Sequence, residues 1–114
     1  MAKFVFLFRG NPPTQSTPEQ MQQMMKSWMA WVDTLTKKGH YHGAGDPLEH
    51  SGKTVRGPKR LVTDAPYAEA KDLVGGYSVI TARSIDEAVE LARGCPALDG
   101  DWSVEVRPVR ALET

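Results

Sequence analysis

Phe4-Val5-Phe6-Leu7-Phe8 is the segment that most limits what this chain can become. It is short, continuously apolar, and stopped by Gly10 and the Pro12-Pro13 pair. A half-exposed strand alternates apolar and polar residues, whereas an unbroken apolar run describes a strand covered on both faces. Three phenylalanines point one way and Val5 and Leu7 the other, so something must pack on each side.

The rest of the chain sets what is available for packing. Thr17-Pro18-Glu19-Gln20 is a helix start: Thr17 caps, Pro18 suits the first turn, and Gln20 stands three residues after the cap. Met21, Met24, Met25, Trp28, Val32 and Leu35 then recur at helical spacing, with Gln22, Gln23, Lys26 and Asp33 opposite. Lys37, Lys38 and Gly39 end the helix. The apolar arc, widened by Met29 and Trp31, reads as a sheet-covering face, or as one that also lines a ligand pocket or subunit contact. From Tyr41 to Arg60 the pattern loosens, with Ser51-Gly52 read as a hairpin turn between Leu48-Glu49-His50 and Thr54-Val55-Arg56. Arg60-Leu61-Val62-Thr63 is a further short strand. Tyr77–Ala82 is a strand bounded by Gly75-Gly76. Ser84 and Glu87 form a second capping box, opening a helix whose expected apolar face is Ile85, Ala88, Val89 and Ala92. Trp102–Val109 alternates as the last strand, with Pro108 at its end or edge.

That order, with two helices able to cover only one face, predicts an α+β fold: a ferredoxin-like βαββαβ domain with an inserted hairpin, spanning 1–114 as one unit. The bare face left over predicts a homodimer joined sheet to sheet. Lys plus Arg and Asp plus Glu are 14 each, which gives no electrostatic ground for nucleic acid or membrane as a partner. A single cysteine, Cys95, leaves no intramolecular disulfide and, with no signal-like or membrane-spanning segment, points to a cytoplasmic protein.

Val62–Lys71 is the segment no periodicity explains. Asp64 has two readings: an Asx turn that fixes Pro66, or an acid/base or ligand-anchoring group. Arg56 is a rim arginine or a partner for Asp64, and such a pair would bind a carboxylate. His42 is the general-base candidate by position, among His40, His42 and His50. Asp64 and His42 are thus the catalytic candidates. Arg56, Trp28, Tyr67, Glu69 and Lys71 are the ligand-binding candidates, each with a packing or surface role as the alternative. Met24, Met25 and Trp28 could also wall a pocket that simply sequesters a small apolar ligand. The histidine spacing, even with Asp46 nearby, lacks a metal-ligand pattern, and no nucleotide fingerprint or nucleophile elbow occurs, so neither metal nor cofactor is expected.

Asp64 and Pro66, Ala68-Glu69-Ala70-Lys71, Gly75-Gly76-Tyr77, Thr54-Val55-Arg56 and Val104–Val109 together resemble the YCII-related proteins, in the branch marked by an Asp-Gly-Pro-Phe motif. Ala65 stands for the motif glycine and Tyr67 for its phenylalanine; a motif glycine at positive φ would leave Ala65 strained. The resemblance implies a dimeric α+β barrel, fold relatives similar to muconolactone isomerase, and a pocket between sheet and helices. Founder members of the wider family carry a His–Asp pair with the histidine on the first helix, where this chain has Trp28. Relatives in this branch also resemble companions of extracytoplasmic-function sigma factors, which implies a regulatory or binding module as the alternative to a small-molecule enzyme.

Overall fold

The computed structural model describes residues 1–10, 17–43, 45–49, 51–65 and 73–111. In chain order they form β1 (Ala2–Gly10), α1 (Pro18–Lys37), β2 (Tyr41–Gly43), β3 (Gly52–Arg56), β4 (Leu61–Ala65), β5 (Leu73–Ala82), α2 (Ile85–Ala92), a short 3-10 turn (Pro96–Asp99) and β6 (Trp102–Pro108). Four strands make an antiparallel sheet in the order β2-β5-β1-β6, and β3 with β4 forms a separate two-stranded hairpin. Each helix connects two strands that lie one strand apart, which is the ferredoxin-like arrangement, here with a hairpin inserted before β5.

Phe4, Phe6 and Phe8 are buried under the helices, together with Ile80 and Ala82 of β5, Trp31 and Leu35 of α1, and Ala88 and Ala92 of α2. The rings interlock: Phe6 stacks on Trp31 with centroids 6.1 Å apart, and Phe8 meets Trp28 edge to face at 4.8 Å. Both arrangements suit the ring quadrupoles. On the opposite face Val5 stands across from Val79 and Leu7 across from Tyr77. These residues are half-buried, on the face away from α1 and α2. An ion pair between Arg9 Nε and Glu105 Oε1, 2.7 Å, flanks this apolar centre.

Both helices start at the expected caps, but only the first completes its capping box. Thr17 Oγ1 accepts from Gln20 N at 3.1 Å while Gln20 Oε1 accepts from Thr17 N at 2.9 Å, a complete reciprocal box. At α2, Ser84 Oγ accepts from Glu87 N at 3.2 Å, but the Glu87 carboxylate takes Arg83 N instead of the cap's own N–H. The α2 face also differs from expectation. Ile85 and Val89 are substantially exposed, and Ala88, Leu91 and Ala92 pack inward, because alanines let the short helix lie close to the sheet.

The hairpin turn lies elsewhere than Ser51-Gly52. Gly52 is already in β3, paired with Ala65, and the chain reverses at Gly57–Arg60. Gly57 (φ 68) and Arg60 (φ 57) take the left-handed conformation that this reversal needs. Leu48 instead runs beside β5, donating its N–H to Gly75 O at 2.9 Å. Ala65 ends β4, paired with Gly52. Val55, Leu61 and Val62 of the hairpin are exposed, so it stands apart from the core.

Candidate functional site

α1 does two different jobs along its length. Its C-terminal half is anchored by Trp31 and Leu35, which are buried, and Trp31 Nε1 donates to Leu91 O at 3.2 Å. Its N-terminal half is not seated: Met21 and Met25 are each 63 % exposed and Met24 is 43 % exposed. The space left between this half and the end of the sheet is an open cavity of about 990 Å3. That is at the upper end for small-molecule sites.

The floor depends on glycine. The β1–β5 register shifts between Phe8 and Arg9, which leaves Gly75 as an extra residue on β5. Bulges of this kind often border functional sites. The indole of Trp102 lies across Gly10 and Gly75: a Cβ on either would come within 2.6 Å of its ring carbons. Phe8 and Trp28 continue the aromatic wall toward α1, and Met21, Met24 and Met25 close it from above. The remaining edge is Gly45-Asp46-Pro47, bound to β5 by Tyr77 N–H donating to Asp46 O at 3.2 Å and by the Pro47–Gly76 bridge. Gly45 approaches β5 so closely that a Cβ would overlap Tyr77 O. The Asp46 carboxylate accepts a hydrogen bond from the Tyr77 hydroxyl through Oδ2 at 3.3 Å, long for an O–H donor and therefore weak.

Of the residues singled out from the sequence, Trp28 lines this cavity, as do Met24 and Met25. Asp64, Arg56 and His42 are absent from its described lining. Asp64 lies on β4 with its side chain 92 % exposed, and its carboxylate accepts from Lys53 Nζ at 2.8 Å. Lys53 stands directly opposite Asp64 in the ladder, whereas Arg56 stands opposite Leu61. With a side-chain period of two, Arg56 and Asp64 therefore project from opposite faces of the hairpin. His42 is exposed on β2, at the sheet's edge. His40 is tied down instead: its Nδ1–H donates to Thr81 O at 2.8 Å. Tyr67, Glu69, Lys71 and His50 lie outside the described residues.

A second, shallower depression of about 470 Å3 lies where α1 meets the end of α2, with Cys95 in its wall. Burial, the main cause, pushes the Cys95 thiol up to about 11. Asp99 adds to the rise, and a backbone hydrogen bond at Ala97 opposes it. A thiol so placed is protonated near neutrality and a poor nucleophile. Among the described residues no three His, Cys, Asp or Glu side chains are gathered as a metal site, and no helix is long and apolar enough to cross a membrane.

Strand order, helix placement and the inserted hairpin define an α+β domain of ferredoxin-like type. The sequence profile of the YCII-related domain matches residues 2–113, and the chain belongs to that family. Among curated proteins none matches it.

Asp46, Tyr77, Trp102 and the two glycines beneath it were not among the residues singled out as a site. The Gly75-Gly76 pair was the available signal, since a double glycine inside a strand marks a bulge or a close approach. In the sequence that pair stands as a strand boundary and as part of the family resemblance, not as a site.

Proposed function

We propose that this protein binds a small, largely apolar molecule in the cavity between the N-terminal half of α1 and the sheet, and does so as a homodimer. One observation carries the binding reading: three methionines and two tryptophans border an open space where an ordinary amphipathic helix would have packed onto the sheet. Exposed apolar side chains lining a concave site mark a binding surface, and methionine adapts its shape to the occupant. The dimer reading rests on the uncovered centre of Val5, Leu7 and Val79, which a second copy's sheet would bury. Chemistry on the bound molecule is a further step. Neither Asp64 nor His42 stands in the described wall.

The test is titration with an environment-sensitive apolar dye. Saturable binding at one site per chain is expected. Met24→Lys, which sets an ammonium in the wall at a position already partly exposed, should abolish binding without unfolding the protein. Absence of saturable binding, or binding indifferent to Met24→Lys, sinks the reading. Sedimentation tests the dimer separately: two copies are expected, and Leu7→Lys should give one.

Association with a protein such as a sigma factor is the second reading, favoured by the exposed Val55, Leu61 and Val62 of the hairpin. Leu61→Lys with Val62→Lys should then abolish that association while dye binding persists. Association that survives the double substitution rejects it.

A further inference from the structure

We propose that Met21, Met24 and Met25 form a redox-controlled modification site, at which a peroxide converts their thioethers to sulfoxides and so closes the cavity to apolar ligands. This rests on the binding reading above and adds its regulation. The first ground is placement. The three residues stand at i, i+3 and i+4 of α1, hence on one face, and all three border the cavity. They are also exposed, so a dissolved oxidant reaches their side chains without the protein unfolding.

The second ground is what oxidation does to such a wall. The sulfur lone pair attacks one peroxide oxygen, and the S–O bond forms as the O–O bond breaks. The other oxygen leaves as water or an alcohol, so sulfur loses two electrons and the peroxide gains them. A flexible apolar group thereby becomes a polar one. Phe8, Trp28 and Trp102 border the same space. An apolar occupant seated among them would strip water from the new S–O dipole and return no hydrogen bond.

The third ground is that the rival sulfur is quiet. Cys95, the single cysteine, is buried, and its thiol stays protonated near neutrality. Peroxides attack the thiolate, so oxidation is left to the thioethers. Met29 supplies the contrast, since it is as exposed as Met21 on the same helix but absent from the described cavity lining.

Titration with the neutral dye N-phenyl-1-naphthylamine, before and after graded hydrogen peroxide, tests this. Trypsin sorts the methionines: cleavage after Arg9, Lys26 and Lys37 puts the three cavity residues in fragment 10–26 and Met29 in fragment 27–37. Affinity should fall at least about tenfold as oxygen enters fragment 10–26. Methionine sulfoxide reductases A and B with dithiothreitol should restore it. Met29→Leu should lose affinity on oxidation as the parent does. With Met21→Leu, Met24→Leu and Met25→Leu combined, the affinity, whatever its value, should no longer respond to peroxide. Should that variant fail to bind, partly oxidised forms of the parent, sorted by fragment, decide instead. Affinity that holds while fragment 10–26 is fully oxidised overturns the proposal and leaves the binding reading intact. So does a loss that follows fragment 27–37, survives the triple substitution, resists the reductases, or accompanies collapse of the far-ultraviolet circular dichroism spectrum. No saturable binding by the reduced protein overturns both.

Discussion

The division of α1 into an anchored half and an unseated half makes a quantitative prediction. Leu35 is 2 % exposed, so Leu35→Ala removes buried atoms and leaves a void among aromatic neighbours that cannot fully collapse. Such truncations cost roughly 2–5 kcal/mol. A chain of this length has a total stability on the order of 6–17 kcal/mol, at about 0.05–0.15 kcal/mol per residue. The substitution thus removes a substantial share. In urea, with a slope of about 1–3 kcal/mol per molar, the midpoint should fall by roughly 0.7–5 M. Met25→Ala, one and a half turns before Trp31 on the same helix, should behave differently. At 63 % exposed it leaves no enclosed void, so its cost should stay within about 0.5–1 kcal/mol. Dye affinity should move the opposite way, falling for Met25→Ala and holding for Leu35→Ala wherever that variant remains folded. Urea melts followed by far-ultraviolet circular dichroism, paired with dye titration, measure both. Equal destabilisation by the two substitutions would refute the reasoning, because it would mean that the methionine half packs on the sheet and leaves no cavity.

Three further outcomes follow from individual contacts. Gly75→Val should unseat the Trp102 indole, shift intrinsic tryptophan emission and weaken dye binding, since its Cβ would sit 2.6 Å from the ring; unchanged emission refutes the glycine seat. Cys95 keeps its proton more tightly folded than unfolded, moving from 9.0 to about 11. Its contribution to stability is therefore complete below the unfolded value and is lost as pH rises through that window, by about 2–3 kcal/mol; pH-dependent urea melts of Cys95→Ala should lack this decline. Asp64→Ala, by contrast, breaks only the exposed pair with Lys53 and should change stability by less than about 1 kcal/mol; a larger loss in the same melts would show a structural role that the exposed ladder does not predict.

The parts of this fold legible in the sequence are those governed by neighbours along the chain. The Thr17 box, the glycine ending α1 and the strand pattern of Phe4–Phe8 depend on a few adjacent residues, and they appear where the sequence puts them. The element order then fixed the sheet topology, because two crossover helices on one face leave few alternatives. What the sequence did not reveal depends on tilt and register. Met21 and Leu35 belong to one helical stripe, and nothing local says that one end is seated while the other stands off. Trp31 looked like a widening of the stripe and is its anchor. Asp64 looked like a partner for Arg56 because a charged strand residue pointing inward needs one. The hairpin register, set by a turn at Gly57, turned them to opposite faces. For the site, Trp28, Met24 and Met25 were legible from composition, whereas Asp46 and Trp102 reach the cavity only through tertiary contacts with β5 and β1.

The Phe6–Trp31 stack clamps α1 at one end only, so its methionine-bearing turns project like a cantilever. Bending such a beam costs few buried contacts, and local distortions of this sort lie at the low end of a protein's free-energy scale. Occupants of different girth can then be admitted by flexing the free end while the clamped core stays as it is.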